Sequence, residues 1–192
     1  TVVFSRATGT IARWLVNNQP IMEAGPQFGV YRAPTDNDKY ALEQWEWARL
    51  EQSAMQLRSI EIVAQSDTAV SVVSRGVLGT PSRQPLFTVE TRYTVHGSGD
   101  VMIETHAIPG PTARDLETLP RIGLTMELPG TFEQVVWRGL GPHENYPDRA
   151  FAATYNTWSS TVSELLTDYV MPQDCGNRGG THWVTVAPEH GY

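Results

Sequence analysis

Apolar and polar residues alternate along much of this chain, and such alternation is typical of β-strands that are buried on one face. It is clearest in four successive runs, which are LRSIEIVAQ from Leu57, TAVSVVSRGVL from Thr68, LFTVETRYTV from Leu86 and DVMIETHAI from Asp100. Turn-forming sequences rich in glycine, proline and serine separate the runs. The pattern therefore predicts a mostly antiparallel β-sandwich.

Further strands are predicted on both sides of these runs. They cover, in chain order, Thr1–Ser5, Thr10–Val16, Ile122–Leu128, Glu133–Arg138, Ala152–Trp158 and His182–Val186. Asn17–Pro20 has the composition of a turn. One short helix is predicted through Leu42–Leu50, where good helix formers follow a cap at Asp36 or Asp38. The predicted fold class is all-β, with a single short helix and no linker between domains.

Composition and charge narrow the range of partners. The chain has 192 residues, of which 40% are hydrophobic, and this suits a folded domain. Its formal net charge is −7 and it contains no basic run, so neither nucleic acid nor an anionic membrane is an expected partner. Cys175 is the single cysteine and cannot form a disulfide within the chain. No signal peptide or membrane-length apolar run is visible, and we expect a cytoplasmic location.

The densest stretch of the chain is RGLGPHENYPDR, from Arg138 to Arg149. It is not a dinucleotide-binding fingerprint, because Glu144 stands where the third glycine would be. It is not the zinc motif H-E-x-x-H either, because Pro147 occupies the position of the second histidine. The stretch therefore needs another explanation, and its charged residues offer two.

Glu144 and Asp148 carry the first alternative, which is a general acid and base. We favour the second, a structural network in which Glu144, Asp148 and Arg149 neutralise one another or satisfy backbone donors. In that interpretation Gly139 and Gly141 permit a backbone turn, and the two prolines of the stretch stiffen the loop. The sequence then predicts that this stretch supports the fold.

Other residues of chemical interest have simpler interpretations. The acidic run Asp36–Asp38 lacks the EF-hand pattern, and Asx-turns or a helix cap explain it. Trp45 and Trp47 cannot share one face of the predicted helix, so at least one is expected to be exposed. The other tryptophans are predicted to be core residues, namely Trp14, Trp137, Trp158 and Trp183. Metal-ligand spacing is missing among the five histidines, which are His96, His106, His143, His182 and His190.

Three blocks of sequence together resemble one family. They are YRAPTDND (Tyr31–Asp38), GLGPHENYPDR (Gly139–Arg149) and YVMPQDCGNRGGTHW (Tyr169–Trp183). Their order and spacing resemble the C-terminal β-sandwich domain, or small-chain region, of the large bacterial β-galactosidases of glycoside hydrolase family 2. Two positions depart from the family pattern, since Asp174–Cys175 replaces Glu-Asn and His143 stands where glutamine is common. We assign a structural role to these members of the blocks: Arg32, Asp36, Asp38, Gly141, Pro142, Glu144, Asn145, Tyr146, Asp148, Arg149, Pro172, Gly176 and Arg178.

The resemblance implies a sandwich of the galactose-mutarotase type, or supersandwich, that covers residues 1–192 and continues beyond Tyr192. It also implies that the two catalytic glutamates lie in a separate TIM barrel, where terminal β-D-galactosides such as lactose are hydrolysed with retention. We therefore expect no catalytic residue and no cofactor in this chain, and we assign no substrate-binding residue. For the complete enzyme the resemblance implies Mg²⁺ with Na⁺ or K⁺, the remaining domains as partners, and a homo-oligomer.

Two alternatives of other classes remain open. The first is a free-standing sugar enzyme of the mutarotase fold, with His106 or His143 as the acid and Glu144 as the carboxylate base. The second is a small structural subunit that complements a separate large subunit. Interconversion of sugar anomers by the pure chain would favour the first, and a neighbouring gene for the barrel would favour the second.

Overall fold

The structure is a computed structural model that describes residues 1–188. These residues form two compact units, an N-terminal unit of Thr1–Leu128 and a C-terminal unit that begins at Pro129. The sequence does not predict this division, because only a short Pro129–Gly130 turn marks it. His190 and the predicted continuation past Tyr192 lie outside the described residues.

The N-terminal unit is built from antiparallel strands. Within the fully described residues 1–128 these are β1 (Val2–Phe4), β2 (Ile11–Val16), β3 (Gln19–Met22), β4 (Ala24–Gly29), β5 (Ala54–Gln65), β6 (Ala69–Gly79), β7 (Phe87–His96), β8 (Val101–Pro109) and β9 (Gly123–Glu127). The order β1-β2-β3 forms one sheet, the order β5-β6-β7-β8 forms another, and β4 pairs with β9. The four alternating runs of the sequence are therefore the four strands of the larger sheet, as predicted.

Two sheets of this unit face each other across an apolar layer. Val72 on β6 and Tyr93 on β7 pack against Ile11 on β2 and Met22 on β3, and all four side chains are buried. Burial raises the pKa of the Tyr93 hydroxyl to about 12, and this hydroxyl donates a hydrogen bond to the carbonyl of Pro26 over 3.4 Å. The period of two in the sequence thus places one residue set of each strand in the core.

A short helical segment forms part of a second apolar cluster. It consists of a 3₁₀ turn (Asp36–Tyr40), the helix α1 (Leu42–Trp47) and a second 3₁₀ turn (Leu50–Gln52). Trp45 is buried and its indole N–H donates to the carbonyl of Thr118 over 3.1 Å, whereas Trp47 is exposed. The prediction that the two tryptophans point to different sides is therefore confirmed. The cluster consists of Phe28, Val30, Trp45, Ala48, Leu50, Leu78, Leu86, Phe87 and Val89.

The helix prediction was wrong in three details. Neither Asp36 nor Asp38 is an N-cap, because Thr35 caps the first 3₁₀ turn and Ala41 precedes α1. The helix ends before Leu50, because Arg49 adopts a left-handed backbone conformation with φ 54°. Finally, the described residues contain a second short helix, α2 (Pro111–Arg114), in a stretch that the sequence presents as a loop.

Two strands were not predicted, and each has a feature that hides it. β3 begins directly after Asn17 and Asn18, which both have positive φ, as a tight two-residue hairpin turn requires. Pro20 lies inside β3, and this is tolerated because β3 is at the edge of its sheet. β4 contains Gly25 (φ 96°) and Pro26, and the pairing with β9 shifts register there. Glycine and proline therefore conceal both strands from a pattern analysis.

The C-terminal unit contains a three-stranded antiparallel sheet within its described residues. Its strands are β10 (Gln134–Gly141), β11 (Thr154–Thr161) and β12 (Trp183–Ala187), in the order β11-β10-β12. A 3₁₀ turn (Ser163–Leu165) follows β11. Trp137 on the central strand is buried as predicted, but Trp183 on β12 is exposed, so its assignment to the core was wrong.

Gly139 and Gly141 lie in β10 and not in a turn, so their predicted role was wrong. Neither has a positive φ. Both are sites of close approach instead. A Cβ on Gly139 would lie 2.8 Å from the Cα of Thr181, and a Cβ on Gly141 would lie 2.7 Å from the Cδ1 of Trp158. Glycine is needed here because neighbouring chain segments leave no room for a side chain.

These sheets confirm the predicted all-β, mostly antiparallel fold class. The helices are short, and within the described residues none is both long enough and apolar enough to cross a membrane.

Candidate functional site

The carboxylate of Glu144 lies at the centre of the C-terminal unit's polar network. It lies three residues after the end of β10, and only 10% of its side chain is exposed. Its Oε2 accepts a hydrogen bond from the backbone N–H of Gly176 over 2.7 Å. Its Oε1 accepts the hydroxyl of Tyr169 and lies 2.9 Å from the guanidinium of Arg149. The side chain thus joins the loop that contains Arg149 to Tyr169 and Gly176, which are 25 and 32 residues further along the chain.

These contacts decide the charge state of Glu144. Burial alone would raise its pKa, but hydrogen bonds from Tyr169, Gly176 and Thr167 together with the charge of Arg149 hold the pKa below its ordinary value. The carboxylate is consequently ionised at neutral pH with its oxygen atoms already occupied. Such a group holds loops together and is a poor proton acceptor.

Arg149 completes the network from the other side. Its Nη1 donates to the Tyr169 hydroxyl over 2.8 Å, and its guanidinium lies 4.5 Å from the centre of the Tyr146 ring. The hydrogen bond with Tyr169, and the nearby charge of Glu144, raise the pKa of Arg149. The predicted partnership of Glu144 with Arg149 is present. Asp148, the third member expected in this network, is exposed.

Asn145 joins the same two loops through its backbone and its side chain. Its backbone N–H donates to the carbonyl of Asn177 over 2.8 Å, and its own carbonyl accepts the Asn177 side-chain amide over 2.6 Å. Its side-chain oxygen accepts the N–H of Gly179 over 2.8 Å. Asn145 is 1% exposed, so these partners satisfy polar groups that water does not reach.

Tyr146 contacts Asp174, which lies at one of the two sites where the sequence departs from the family pattern. Its hydroxyl donates to the carboxylate of Asp174 over 2.7 Å. Burial and the neighbouring Asp174 raise the pKa of the Tyr146 hydroxyl, which therefore stays protonated and donates. The shorter aspartate thus still ties the Tyr169–Trp183 block to the loop that follows β10.

A cleft of about 340 Å³ opens beside this network within the C-terminal unit. Glu144, Tyr169 and Arg178 line it, together with Trp137 and Glu164. The guanidinium of Arg178 lies 5.5 Å from the centre of the Trp137 ring, and burial lowers its pKa. Its Nη1 donates to the carbonyl of Gly176 over 3.0 Å, whereas its buried Nε has no acceptor among the described residues.

Glu164 is the second carboxylate of this cleft. It accepts the backbone N–H of Thr161 and the hydroxyl of Ser160, each over 3.2 Å. The hydrogen bond from Thr161 is the main reason why its pKa is lowered. A general acid of a glycosidase needs a raised pKa, so Glu144 and Glu164 do not have the opposed properties of a catalytic pair.

The Tyr31–Asp38 block forms a separate small network in the N-terminal unit. Two nitrogens of the Arg32 guanidinium donate to the two carboxylate oxygens of Asp38, over 2.6 and 3.1 Å. The backbone N–H and the hydroxyl of Thr35 donate to the same carboxylate over 2.6 and 2.9 Å. Burial raises the pKa of Asp38, but the hydrogen bonds from Arg32 and Thr35 outweigh it and lower the pKa overall. The network fixes the start of the helical segment.

We predict that Asp38→Ala lowers the free energy of unfolding by about 2 kcal/mol, since a half-buried bidentate ion pair and two further hydrogen bonds are lost. Urea denaturation followed by tryptophan fluorescence measures the change. Glu46→Ala is the matched control, because it removes an exposed carboxylate of α1 and should stay within about 0.5 kcal/mol of the wild type. Equal effects of both substitutions would contradict the structural role of Asp38.

The other predicted motif residues take different positions. Asp36, Pro142 and Pro172 are exposed. Gly141 is the last residue of β10 and lies close to the rings of Trp158 and Trp137. Sequence reasoning did not identify Tyr169, Thr167 and Asn177 as network members. Tyr169 and Asn177 belong to the third sequence block, and this was the only indication that they matter. The residues around them do not show that their partners, Glu144 and Asn145, lie in the loop after β10.

The positions of the histidines give little support to the alternative of a sugar enzyme that uses a histidine acid with Glu144 as base. His143 is exposed beside Glu144, and its carbonyl accepts the side-chain amide of Asn145 over 3.2 Å. His106 lies on β8 in the N-terminal unit. Within residues 1–188 no three side chains of histidine, cysteine, aspartate or glutamate are grouped as metal ligands.

Comparison with known proteins identifies the class of this β-sheet chain. Residues 1–191 match the family model described as β-galactosidase small chain. The chain is 32% identical to the β-galactosidase of Erwinia tasmaniensis over 97% of its length, and 31% identical to that of Halalkalibacterium halodurans over 100%. It is 30% identical to the β-galactosidase of Vibrio cholerae over 95% of its length. The chain belongs to the β-galactosidase small-chain family.

The match covers all of the chain but little of each relative. The chain spans 19% of the length of the Erwinia and Halalkalibacterium enzymes and 18% of the Vibrio enzyme. The predicted family resemblance is thus confirmed, whereas the activity of the whole relatives belongs to proteins about five times longer.

Proposed function

We propose that this chain is a non-catalytic structural domain of a β-galactosidase, and that catalysis by that enzyme takes place in another part of it. The observation that carries the proposal is the family match over residues 1–191 together with a span of less than a fifth of each relative. The enzyme would hydrolyse terminal β-D-galactosides with retention, using two glutamates of a barrel domain. The metal ions implied by the family belong, in this proposal, to that remaining part.

The geometry of the C-terminal unit supports a structural role. A retaining glycosidase needs two carboxyl groups on opposite sides of the scissile bond, one as nucleophile and one with a raised pKa as acid. Here Glu144 is occupied by Tyr169, Gly176 and Arg149, and its pKa is lowered. The same occupancy counts against Glu144 as the base of a free-standing mutarotase-like enzyme.

We predict that the purified chain alone hydrolyses no chromogenic β-galactoside above the buffer blank. The rate of nitrophenol release measures this, and the Erwinia tasmaniensis β-galactosidase serves as positive control. Hydrolysis that survives purification and disappears in Glu144→Gln would overturn the prediction. Activity is expected when the chain is fused to the remaining polypeptide of the same enzyme, or when the two are co-expressed as complementing subunits.

A further inference from the structure

The helical segment of the N-terminal unit helps to line a pocket of about 630 Å³ that the proposed function does not use. Tyr31, Trp45 and Leu50 form its more buried wall, and Trp45 and Leu50 also belong to the second apolar cluster. All residues that line the pocket lie between Tyr31 and Gln52, so the pocket belongs to this unit alone. Its volume and its apolar wall are typical of sites for small molecules, which measure roughly 300–1,000 Å³.

Charged groups of both signs line the same pocket. They belong to Glu46, Arg49 and Glu51, which are exposed. Across residues 1–188, none of these three side chains forms an ion pair or a hydrogen bond with another residue. Burial and, to a smaller extent, the charge of Glu51 raise the pKa of the Tyr31 hydroxyl, which is therefore a protonated donor at neutral pH. The pocket thus offers donors and acceptors beside an apolar wall.

The backbone of Arg49 gives an independent reason to assign a role to its side chain. Arg49 follows Ala48, the C-cap of α1, and its φ of 54° lies in the left-handed region. Glycine is the usual residue at this position of a helix end, because a Cβ is crowded there. The Arg49 side chain makes no hydrogen bond or ion pair with the described part of the chain that would offset this strain. Strained residues of this kind concentrate at ligand-binding sites.

The charges of the pocket define the class of ligand. Two carboxylates repel a small anion, and the guanidinium repels a small cation. A zwitterion such as an amino acid would pair with Arg49 and one glutamate, and it would leave the other carboxylate without a donor. A neutral sugar carries several hydroxyl groups, which donate to both carboxylates and accept from the guanidinium. Its C–H groups can pack against the rings of Tyr31 and Trp45.

We propose that this pocket binds a neutral hexose, with Glu46, Arg49 and Glu51 holding its hydroxyl groups and Tyr31 contributing to the wall against which its ring packs. The site goes beyond the proposed function and does not depend on it, because a chain that hydrolyses no galactoside can still bind a sugar. The left-handed arginine then has a physical explanation. Glycine would stabilise the end of α1, but only the guanidinium can donate to the ligand.

The test measures both sugar binding and stability in Arg49→Gly. D-Galactose and D-glucose are titrated separately into the purified, isotope-labelled chain, and the indole N–H signal of Trp45 is the local reporter because Trp45 lines the pocket. At least one of the two sugars should shift this signal saturably. Arg49→Gly should weaken that binding at least about 10-fold, since a charged donor is lost. Its midpoint of urea denaturation should nevertheless equal or exceed that of the wild type, because glycine adopts a positive φ without strain.

Ser82→Gly is the matched control for this substitution. Ser82 is exposed, has a φ of 59° in the same unit and does not line the pocket, so its replacement should relieve strain and leave sugar binding unchanged. The proposal is overturned if neither sugar gives a saturable shift, if Arg49→Gly binds as tightly as the wild type, or if Arg49→Gly is less stable. Acetate, methylammonium and L-alanine are the charged probes, and tighter binding of any of them than of both sugars would also overturn it.

Discussion

Glu144→Ala is expected to lower the free energy of unfolding of the C-terminal unit by about 3 kcal/mol, because its removal leaves several groups without their acceptor. The backbone N–H of Gly176 and the hydroxyl of Tyr169 both lose a charged partner. Glu144 is 10% exposed, so water replaces these contacts poorly. Guanidinium denaturation followed by tryptophan fluorescence measures the loss, with Trp137 and Trp158 reporting on this unit.

Removing Arg149 should cost less stability than removing Glu144, its partner in the ion pair. Arg149 is 37% exposed, and its removal leaves Glu144 with its other donors. Arg149→Ala should therefore cost only about 1 kcal/mol, as for an exposed pair. Asp168→Ala is the matched control, since it removes an exposed carboxylate next to Tyr169 and should change stability by less than about 0.5 kcal/mol. A loss for Glu144→Ala no larger than for this control would mean that the network does not stabilise the unit.

Acidification offers an independent check on the same carboxylate. Because the pKa of Glu144 is lower in the folded state than its ordinary value of 4.5, its ionised form stabilises the fold above that pH. The contribution is lost as the pH falls below 4.5 and through the folded-state pKa. The stability difference between the wild type and Glu144→Gln should therefore be largest at neutral pH and shrink in acid. A difference that stays constant across this range would contradict the lowered pKa.

The sequence predicts the strands that follow simple alternation and misses those that contain glycine and proline. β5 to β8 are long strands, and β6 and β7 carry buried residues of both apolar clusters, so the alternation is recognisable even though β5 shifts register twice and ends in exposed residues. β4 carries Gly25 and Pro26 at an irregular register and offers no such pattern. The division after Leu128 was missed as well, because a compact unit is defined by tertiary contacts that no local sequence expresses.

The candidate site was predictable only in part. Glu144 and Arg149 lie close in sequence and carry opposite charges, so their pairing follows from short-range chemistry. The partners Tyr169 and Gly176 are more than twenty residues away, and only the fold brings them to Glu144. The exposure of Val170 beside the ordered Tyr169 was equally hidden, because an apolar residue in a sequence does not show whether it faces the core or a partner.

Gly141→Ala is expected to destabilise the C-terminal unit by about 2–3 kcal/mol through overpacking. A Cβ at this position would lie 2.7 and 2.8 Å from Cδ1 and Nε1 of Trp158, and 3.0 Å from Cζ2 of Trp137. Both indoles are anchored, since Trp137 donates to the carbonyl of Leu140 and Trp158 to that of Gly139. The rings therefore cannot move aside without breaking these hydrogen bonds.

Gly130→Ala is the matched control for this prediction. A Cβ there would meet no atom within 4 Å, and Gly130 belongs to the same unit and has no positive φ. It should leave the midpoint of denaturation unchanged or slightly raised, because alanine restricts the unfolded chain more than glycine does. Thermal and guanidinium denaturation of both variants measure the contrast. Equal stability of the two variants would mean that the tryptophans yield to a methyl group, and that Gly141 is not required by the close packing around β10.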